Sequence, residues 1–283
     1  MKFSFELKEI IVRALNEDVH NADITTEAIF DTYQEGKAKL IAKDGGVIAG
    51  LEVFQETFLL VDRTLRISFY KKDGDLIRKG EIVAEIIGNI ASILIAERTA
   101  LNFLQRMSGI ATATNIFVDK VKHTKAKILD TRKTVPGLRL LDKMAVYIGG
   151  GQNHRIGLYD MFLIKDNHIA GAGSITKAVK KVKEYKKKNN LNCLIEVETK
   201  NFEEINEALQ CGIDIIMLDN FSVNDTKKAV NIINNKCKIE ASGGININTL
   251  VEVAETGVDY ISVGALTHSV RALDLSLLID YAK

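Results

Sequence analysis

The chain has one proline, no tryptophan and only three cysteines in 283 residues, and its formal net charge is +1. Each scarcity excludes something. A balance near zero argues against a general nucleic-acid or membrane-surface binder, which needs a broad basic excess. Cys193, Cys211 and Cys237 stand apart, with no CxxC pair and an odd count. That pattern excludes a disulfide framework and suits free thiols in a reducing cytoplasm. No His/Cys spacing suggests zinc. Long apolar runs are missing as well. The longest, Ile86 to Ala96, falls short of a bilayer span and contains Asn89 and Ser92. The opening stretch "MKFSFELKEIIVRALN" is charged throughout, unlike a secretory signal.

What the chain does have is a large apolar fraction, 46%, beside 27% charged residues, which suits a globular protein with a sizeable core. Its length is natural for two domains. From about Asp130 onward one unit recurs: a short apolar run ending in a polar residue, then a helical pattern. The runs are "KILDT", "MFLIKD", "CLIEVE", "IIMLDN", "KIEASGG" and "YISVGA". Such near-continuous runs read as strands buried on both faces of a parallel sheet. Ile175, Ala178, Val179, Val182 and Tyr185 follow helical spacing, as do Phe202, Ile205, Ala208 and Leu209. Gly212 and Gly257 sit where helices should stop. The repeat favours a barrel or a doubly wound sheet. No GxGxxG and no P-loop is present, so a barrel is preferred.

The first hundred residues read differently, as a helix around Phe5–Asn16, short alternating strands and turns at "KDGG" and "KKDGD". "DGDLIRKGEIVAEIIG" resembles lipoyl-carrier turns but lacks a lysine at an exposed hairpin tip, so it reads as scaffold. Ala91–Ser108 reads as one long linking helix. The expected organisation is an α/β protein: an N-terminal α/β sandwich-like domain over 1–108, an α/β barrel over 109–270, and a C-terminal helix over 271–283 packing back on the first domain.

In either barrel or doubly wound sheet, chemistry sits at the C-terminal strand ends. Here those ends carry Asp130–Lys133, Lys165–His168, Glu196 and Glu198, Asp219–Asn220, Ser242–Gly244 and Gly264. The stretch "ILDTRKTVPGLRLLDKMAVYIGGGQNHRIG" adds Arg139, Lys143, His154, Arg155 and the only proline, Pro136. Arginine matches a carboxylate or phosphate in two-point contact, and lysine adds a movable charge. Cations from several strands at one rim repel unless an anion joins them, which points to a polyanionic ligand. Asp160 and Asp166 compete as structural ion-pair partners. Glu198 and Asp219 end successive strands, where they suit sugar hydroxyls or a magnesium ion. Glu196 shares a strand face with Glu198 by the period of two. Ser242, Gly243 and Gly244, with Gly264 on the last strand, suit a phosphate monoester. Arg98, Asn102 and Gln105 form one polar stripe on an apolar helix, facing either solvent or a polar partner.

The segments "AERTALNFLQRMSGIAT", "DTRKTVPGLRLLDKMAV", "GGGQNHRIGLYDMFLIKDNH", "IEVE", "IIMLDNF", "EASGGI" and "VDYISVGALTHS" together resemble the quinolinate phosphoribosyltransferase family. The resemblance runs over nearly the whole chain from Asn16. One departure is Ala22 in "NADITT", where the family usually has glycine. The resemblance implies an open α/β barrel after the N-terminal domain. It implies transfer of phosphoribose from phosphoribosyl pyrophosphate to quinolinate with decarboxylation, magnesium as cofactor, and a cytoplasmic homodimer. It assigns the quinolinate carboxylates to Arg132, His154, Arg155 and Lys165, with Arg98 supplied by the partner subunit. It gives Lys133 to the pyrophosphate or the acceptor, and Glu198 and Asp219 to ribose and magnesium. Ser242, Gly243, Gly244 and Gly264 take the 5′-phosphate. Lys133, Lys165, Glu198 and Asp219 are the residues it implies for catalysis. Three rivals remain. One is a related phosphoribosyltransferase for another aromatic acid, including the molybdenum-associated relative. Another is a phosphosugar isomerase or aldolase using Lys165 as a Schiff base, and the last is a non-catalytic anion binder.

Overall fold

The computed structural model describes residues 5–30 and 32–280. The chain divides into two compact units. One comprises Met1–Asn115, Thr134–Gly150 and Leu266–Lys283, the other Ile116–Lys133 and Gly151–Ala265.

The first unit opens with α1 (Phe5–Val19), burying Leu7, Ile11 and Leu15 at helical spacing. α2 (Ile24–Ile29) starts on Asp23, whose carboxylate accepts from the Thr25 and Thr26 N–H groups. Ala22 is not among the residues with positive φ, so its backbone accommodates the alanine without strain. β1 (Glu35–Ala42) alternates strictly, burying Ala38, Leu40 and Ala42. β2 (Gly46–Val47), α3 (Leu51–Val61), β3 (Arg66–Phe69), β4 (Leu76–Ile77) and β5 (Ile82–Asn89) follow. The lipoyl-like stretch thus forms β4 and β5. α4 then runs over Ile90–Val121, 32 residues, well beyond the Ala91–Ser108 expected from pattern. One face of α4 (Ile93, Ala96, Ala100, Leu101, Leu104) joins Phe54 and Phe58 of α3 over the sheet.

The expected C-terminal helix is corrected by the structure. Residues Leu275–Asp280 form a strand that pairs antiparallel with β1, Leu275 opposite Ala42 and Leu277 opposite Leu40. Period-two placement of Leu275, Leu277 and Ile279 fits a half-buried strand.

The second unit contains β6 (Lys127–Leu129). α5 (Arg139–Ile148) belongs to the first unit and is entered through Val135-Pro136-Gly137-Leu138. There the Leu138 N–H donates to the Val135 carbonyl at 3.1 Å and Gly137 has φ +80°, a type II turn. The remaining strands of this unit are β7 (Phe162–Ile164), β8 (Ile195–Thr199), β9 (Ile215–Asp219), β10 (Lys238–Ser242) and β11 (Tyr260–Ser262), while β12 (Leu275–Asp280), the last described strand, belongs to the first unit. Between them lie α6 (Asp166–Ala172), α7 (Ile175–Lys188), α8 (Phe202–Gln210), α9 (Val223–Ile233), α10 (Leu250–Ala254) and α11 (Ala265–His268). Ser174, Asn201 and Ser222 cap α7, α8 and α9 with side-chain oxygens. Gly212 and Gly257, with φ +58° and +92°, end α8 and α10.

The six-stranded sheet has the order β6-β11-β10-β9-β8-β7 and its paired strands are parallel. The strands follow one another around a ring, with no reversal of direction as in a doubly wound sheet. β6 and β7 do not pair, so the barrel is open at that seam. The second, four-stranded sheet is antiparallel, β12-β1-β5-β3.

Candidate active site

The open seam is where the cationic segment lies. Gln152 bridges to Leu129 on the free edge of β6, and the Gln152 N–H donates to the Ile128 carbonyl at 2.8 Å. From there residues 153–161 run to the start of β7. His154 and Arg155 therefore sit on the strap between the two unpaired strands. Asp160 accepts from the N–H groups of Ile156 and Gly157 at 2.7 and 2.9 Å. Its carboxylate shapes this strap, and its charge also raises the proton affinity of Arg155. Asp166 likewise pairs with Lys200 at 2.8 Å.

Arg155 is half-buried and donates to the Met161 carbonyl at 3.1 Å. Burial, and then the Arg132 guanidinium, lower its proton affinity. Two guanidiniums thus converge from the end of β6 and from the strap. Arg132 and Lys133 are exposed, and the Lys133 N–H donates to Thr131 Oγ1 at 3.0 Å. A cavity of about 560 Å³ touches Arg155 but is otherwise lined by residues such as Leu158, Phe162 and Val182. Lys165, Glu198 and Asp219 do not line it, so it is apart from the charged rim.

Lys165 follows β7 directly. Ile164 is in register with Val197, which brings Lys165 level with Glu198. Its Nζ lies 3.3 Å from Glu198 Oε2. A lysine that is exposed and ion-paired is the opposite of a desolvated Schiff-base amine. Asp219 ends β9 in register with Ser242 of β10. The next residue, Asn220, has φ +58° and donates its N–H to the Ser242 carbonyl at 2.8 Å. Gly243 and Gly244 follow with φ +96° and +61°. A Cβ on Gly243 would meet Asn220 Oδ1 at 2.2 Å and the Asn220 N at 2.9 Å, whereas Gly244 faces open space. α10 starts at Leu250, so the loop between is longer than a helix beginning near Asn248 implies. Gly264 lies just beyond β11, half-buried.

His154 departs from its expected role. Its Nδ1 accepts from the Arg155 N–H at 2.8 Å, and its Nε2 is 3.1 Å from Glu196 Oε2 and 3.5 Å from Glu240 Oε2. Both ring nitrogens are engaged within the chain, so the imidazole is not presented to a ligand carboxylate. Its backbone N–H is taken by buried Asp130 Oδ1 at 2.9 Å. Glu196 and Glu240 are 0% and 1% exposed. Burial pushes both carboxyls well above their ordinary range, and mutual repulsion adds to this at Glu240. Glu240 went unnoticed in sequence, although a lone carboxylate inside the apolar run "KIEAS" marks it. A Cβ on Gly149 would meet the Ala111 carbonyl at 2.5 Å, and Gly150 has φ +92°, so these two serve packing and the end of α5.

Arg98 lies on α4 in the first unit, exposed, as does Asn102, while Gln105 donates to the Leu275 carbonyl at 2.7 Å. The stripe is thus only partly free. The three cysteines are free and half-buried, and burial pushes the Cys237 thiol up to about 11.

Comparison with known proteins decides the family. Residues 23–108 and 110–278 match the N- and C-terminal domains of quinolinate phosphoribosyl transferase. The chain belongs to the quinolinate phosphoribosyltransferase family. It is 44% identical to the probable nicotinate-nucleotide pyrophosphorylase [carboxylating] of Bacillus subtilis, covering 96% of this chain and 93% of that one. It is 46% identical to quinolinate phosphoribosyltransferase [decarboxylating] 2b, mitochondrial, of Nicotiana tabacum, over 98% of this chain and 83% of that one. The crystal structure of NadC from Streptococcus pyogenes superposes with a TM-score of 0.94 at 42% identity, covering 99% of this chain and 98% of that one. Among the described residues no helix is long and apolar enough to cross a membrane.

Proposed function

We propose that this member of the family transfers phosphoribose from phosphoribosyl pyrophosphate to quinolinate, releasing pyrophosphate and carbon dioxide and forming nicotinate mononucleotide. The convergence of Arg132 and Arg155 at the open seam carries this reading. Arg132 lowers the proton affinity of Arg155, and a dicarboxylate that joins the two guanidiniums offsets that repulsion. Lys165 and Arg98 complete the acceptor's cation set, with Arg98 coming from a second copy of the chain in a homodimer. Lys133 faces the pyrophosphate or the acceptor. Ser242, Gly243, Gly244 and Gly264 receive the 5′-phosphate, two of them through backbone that only glycine adopts readily. His154 contributes by position, through the strap it anchors.

Glu198 and Asp219 fit magnesium by their donor chemistry, two carboxylates at the ends of adjacent parallel strands, supplied without nitrogen or sulfur ligands. The ion, when bound, neutralises charge on the pyrophosphate. The protein's own part is positioning and electrostatics. Loss of pyrophosphate leaves an oxocarbenium-like ribose, and the pyridine nitrogen attacks its C1′. The new ring cation then stabilises the electron pair left when the adjacent carboxylate departs as carbon dioxide, and a proton fills that carbon. Free half-buried thiols suit a reducing cytoplasmic setting.

The test is an assay of the purified chain with magnesium, phosphoribosyl pyrophosphate and either quinolinate or nicotinate. Nicotinate mononucleotide and carbon dioxide from quinolinate, with no product from nicotinate, are expected. Product from nicotinate instead would move the chain to a monocarboxylate reaction, in which one cation at the seam has no carboxylate to meet.

A further inference from the structure

Three side chains are among the anchors of the strap carrying Arg155. Asp130 holds the His154 backbone, and Asp160 holds the backbone of Ile156 and Gly157. The third anchor is the His154 ring. Because Nδ1 accepts from the Arg155 N–H, the ring proton is on Nε2, aimed at Glu196 of β8 and Glu240 of β10. The imidazole thus joins the backbone at Arg155 to two carboxyls from strands separated by β9.

We propose that Glu240 is a positioning residue for acceptor binding, acting through the His154 imidazole to hold the turn that presents Arg155. This rests on the reading of Arg155 as a quinolinate contact. Stability gives little reason for a carboxyl at this point in β10. Its flanking residues, Ile239 and Ala241, are apolar and buried, and its own side chain is 1% exposed. Neither of its oxygens has a hydrogen-bond partner, and burying an unsatisfied polar group costs stability that an apolar side chain keeps. What the exchange removes is the second carboxyl facing Nε2, at 3.5 Å, beside the Glu196 carboxyl to which the ring is hydrogen-bonded. Glutamine in its place imitates a carboxylic acid, with an oxygen to accept from Nε2–H and an N–H to donate to Glu196.

The experiment compares Glu240→Leu and Glu240→Gln with the unaltered chain, reading KM for quinolinate, KM for phosphoribosyl pyrophosphate, kcat and thermal midpoint. For Glu240→Leu a rise of at least tenfold in quinolinate KM is expected, with the phosphoribosyl pyrophosphate KM within twofold and the midpoint unchanged or higher. Glu240→Gln should restore quinolinate KM to within about threefold. If the leucine chain does not fold, Glu240→Met is read in its place. An unchanged quinolinate KM in the apolar variant, or glutamine performing no better than leucine, overturns the proposal. So does a parallel loss of both KM values and the midpoint, which is the mark of a structural role. Absence of quinolinate turnover by the unaltered chain instead refutes the acceptor reading, and the proposal with it, before any variant is compared.

Discussion

Adjacent glycines at the end of β10 should respond differently to one added methyl. Gly243 has φ +96° and Gly244 φ +61°, so alanine strains the backbone at both. At Gly243 the strain is about 1–3 kcal/mol, and the Cβ also collides with Asn220. Rotating the Asn220 side chain relieves the 2.2 Å approach but leaves the 2.9 Å contact with its backbone nitrogen. That nitrogen is held by the Ser242 carbonyl, so relief requires moving the turn itself. Overpacking adds about 1–3 kcal/mol, for a combined loss of about 2–6 kcal/mol. At about 2–4 °C per kcal/mol, Gly243→Ala should lower the thermal midpoint by at least about 4 °C. Gly244→Ala meets nothing within 4 Å, and its strain of about 1–2 kcal/mol is partly offset through the unfolded chain. Its midpoint should fall by no more than about 6 °C, and by less than that of Gly243→Ala. Yet its Cβ enters the open space assigned to the 5′-phosphate, so its KM for phosphoribosyl pyrophosphate should rise at least tenfold while quinolinate KM holds. Equal midpoint losses in the two variants would refute the steric argument. An unchanged phosphoribosyl pyrophosphate KM in both would refute the phosphate cradle.

Two further perturbations read the rest of the chain. In the first unit, Arg106 grips Asp142 with two hydrogen bonds of 2.8 Å, and Asp142, 0% exposed, also accepts from the Val135 N–H at the proline turn. Asp142→Asn should cost about 3–5 kcal/mol in denaturant unfolding because it strands a partly buried guanidinium, and a loss below 1 kcal/mol would refute that. Burial, and then the Glu196 carboxyl, raise the Glu240 pKa from 4.5 to about 8. The folded chain therefore keeps a proton that the unfolded chain releases between those values. That contribution to stability is full below pH 4.5 and is lost as pH rises through 8. The unaltered chain should lose stability relative to Glu240→Leu as pH rises from 5 to 9, with a slope of at most about 1.4 kcal/mol per pH unit. A constant difference in unfolding free energy across that range would show that Glu240 titrates normally.

The barrel was legible because parallel strands leave a coarse trace: six apolar runs, each ending in polar residues, and six paired strands at those places. Helix ends at Gly212 and Gly257 were legible for a similar reason, since a positive φ selects glycine. The C-terminal strand was not. "LSLLID" has too few residues to separate helical from alternating spacing, and its partner β1 lies more than two hundred residues away in sequence. The same limit applies to Asp166: its neighbour in sequence is Lys165, but its 2.8 Å partner is Lys200, which only the fold brings near.

His154 exposes a deeper limit. Charge and position alone put it among the ligand cations, because a motif records which residue stands at a place and not which way its ring is tied. The deciding facts are the Arg155 N–H on Nδ1 and two carboxyls from β8 and β10 on the other side. Those carboxyls also change what the positive charge at the rim means. Glu196 faces Arg155 from inside the barrel and raises that guanidinium's proton affinity, against the lowering by burial and Arg132. The cations are therefore steadied from below by buried acid while their open side stays positive. That arrangement lets a small site hold several like charges before its anionic substrates arrive.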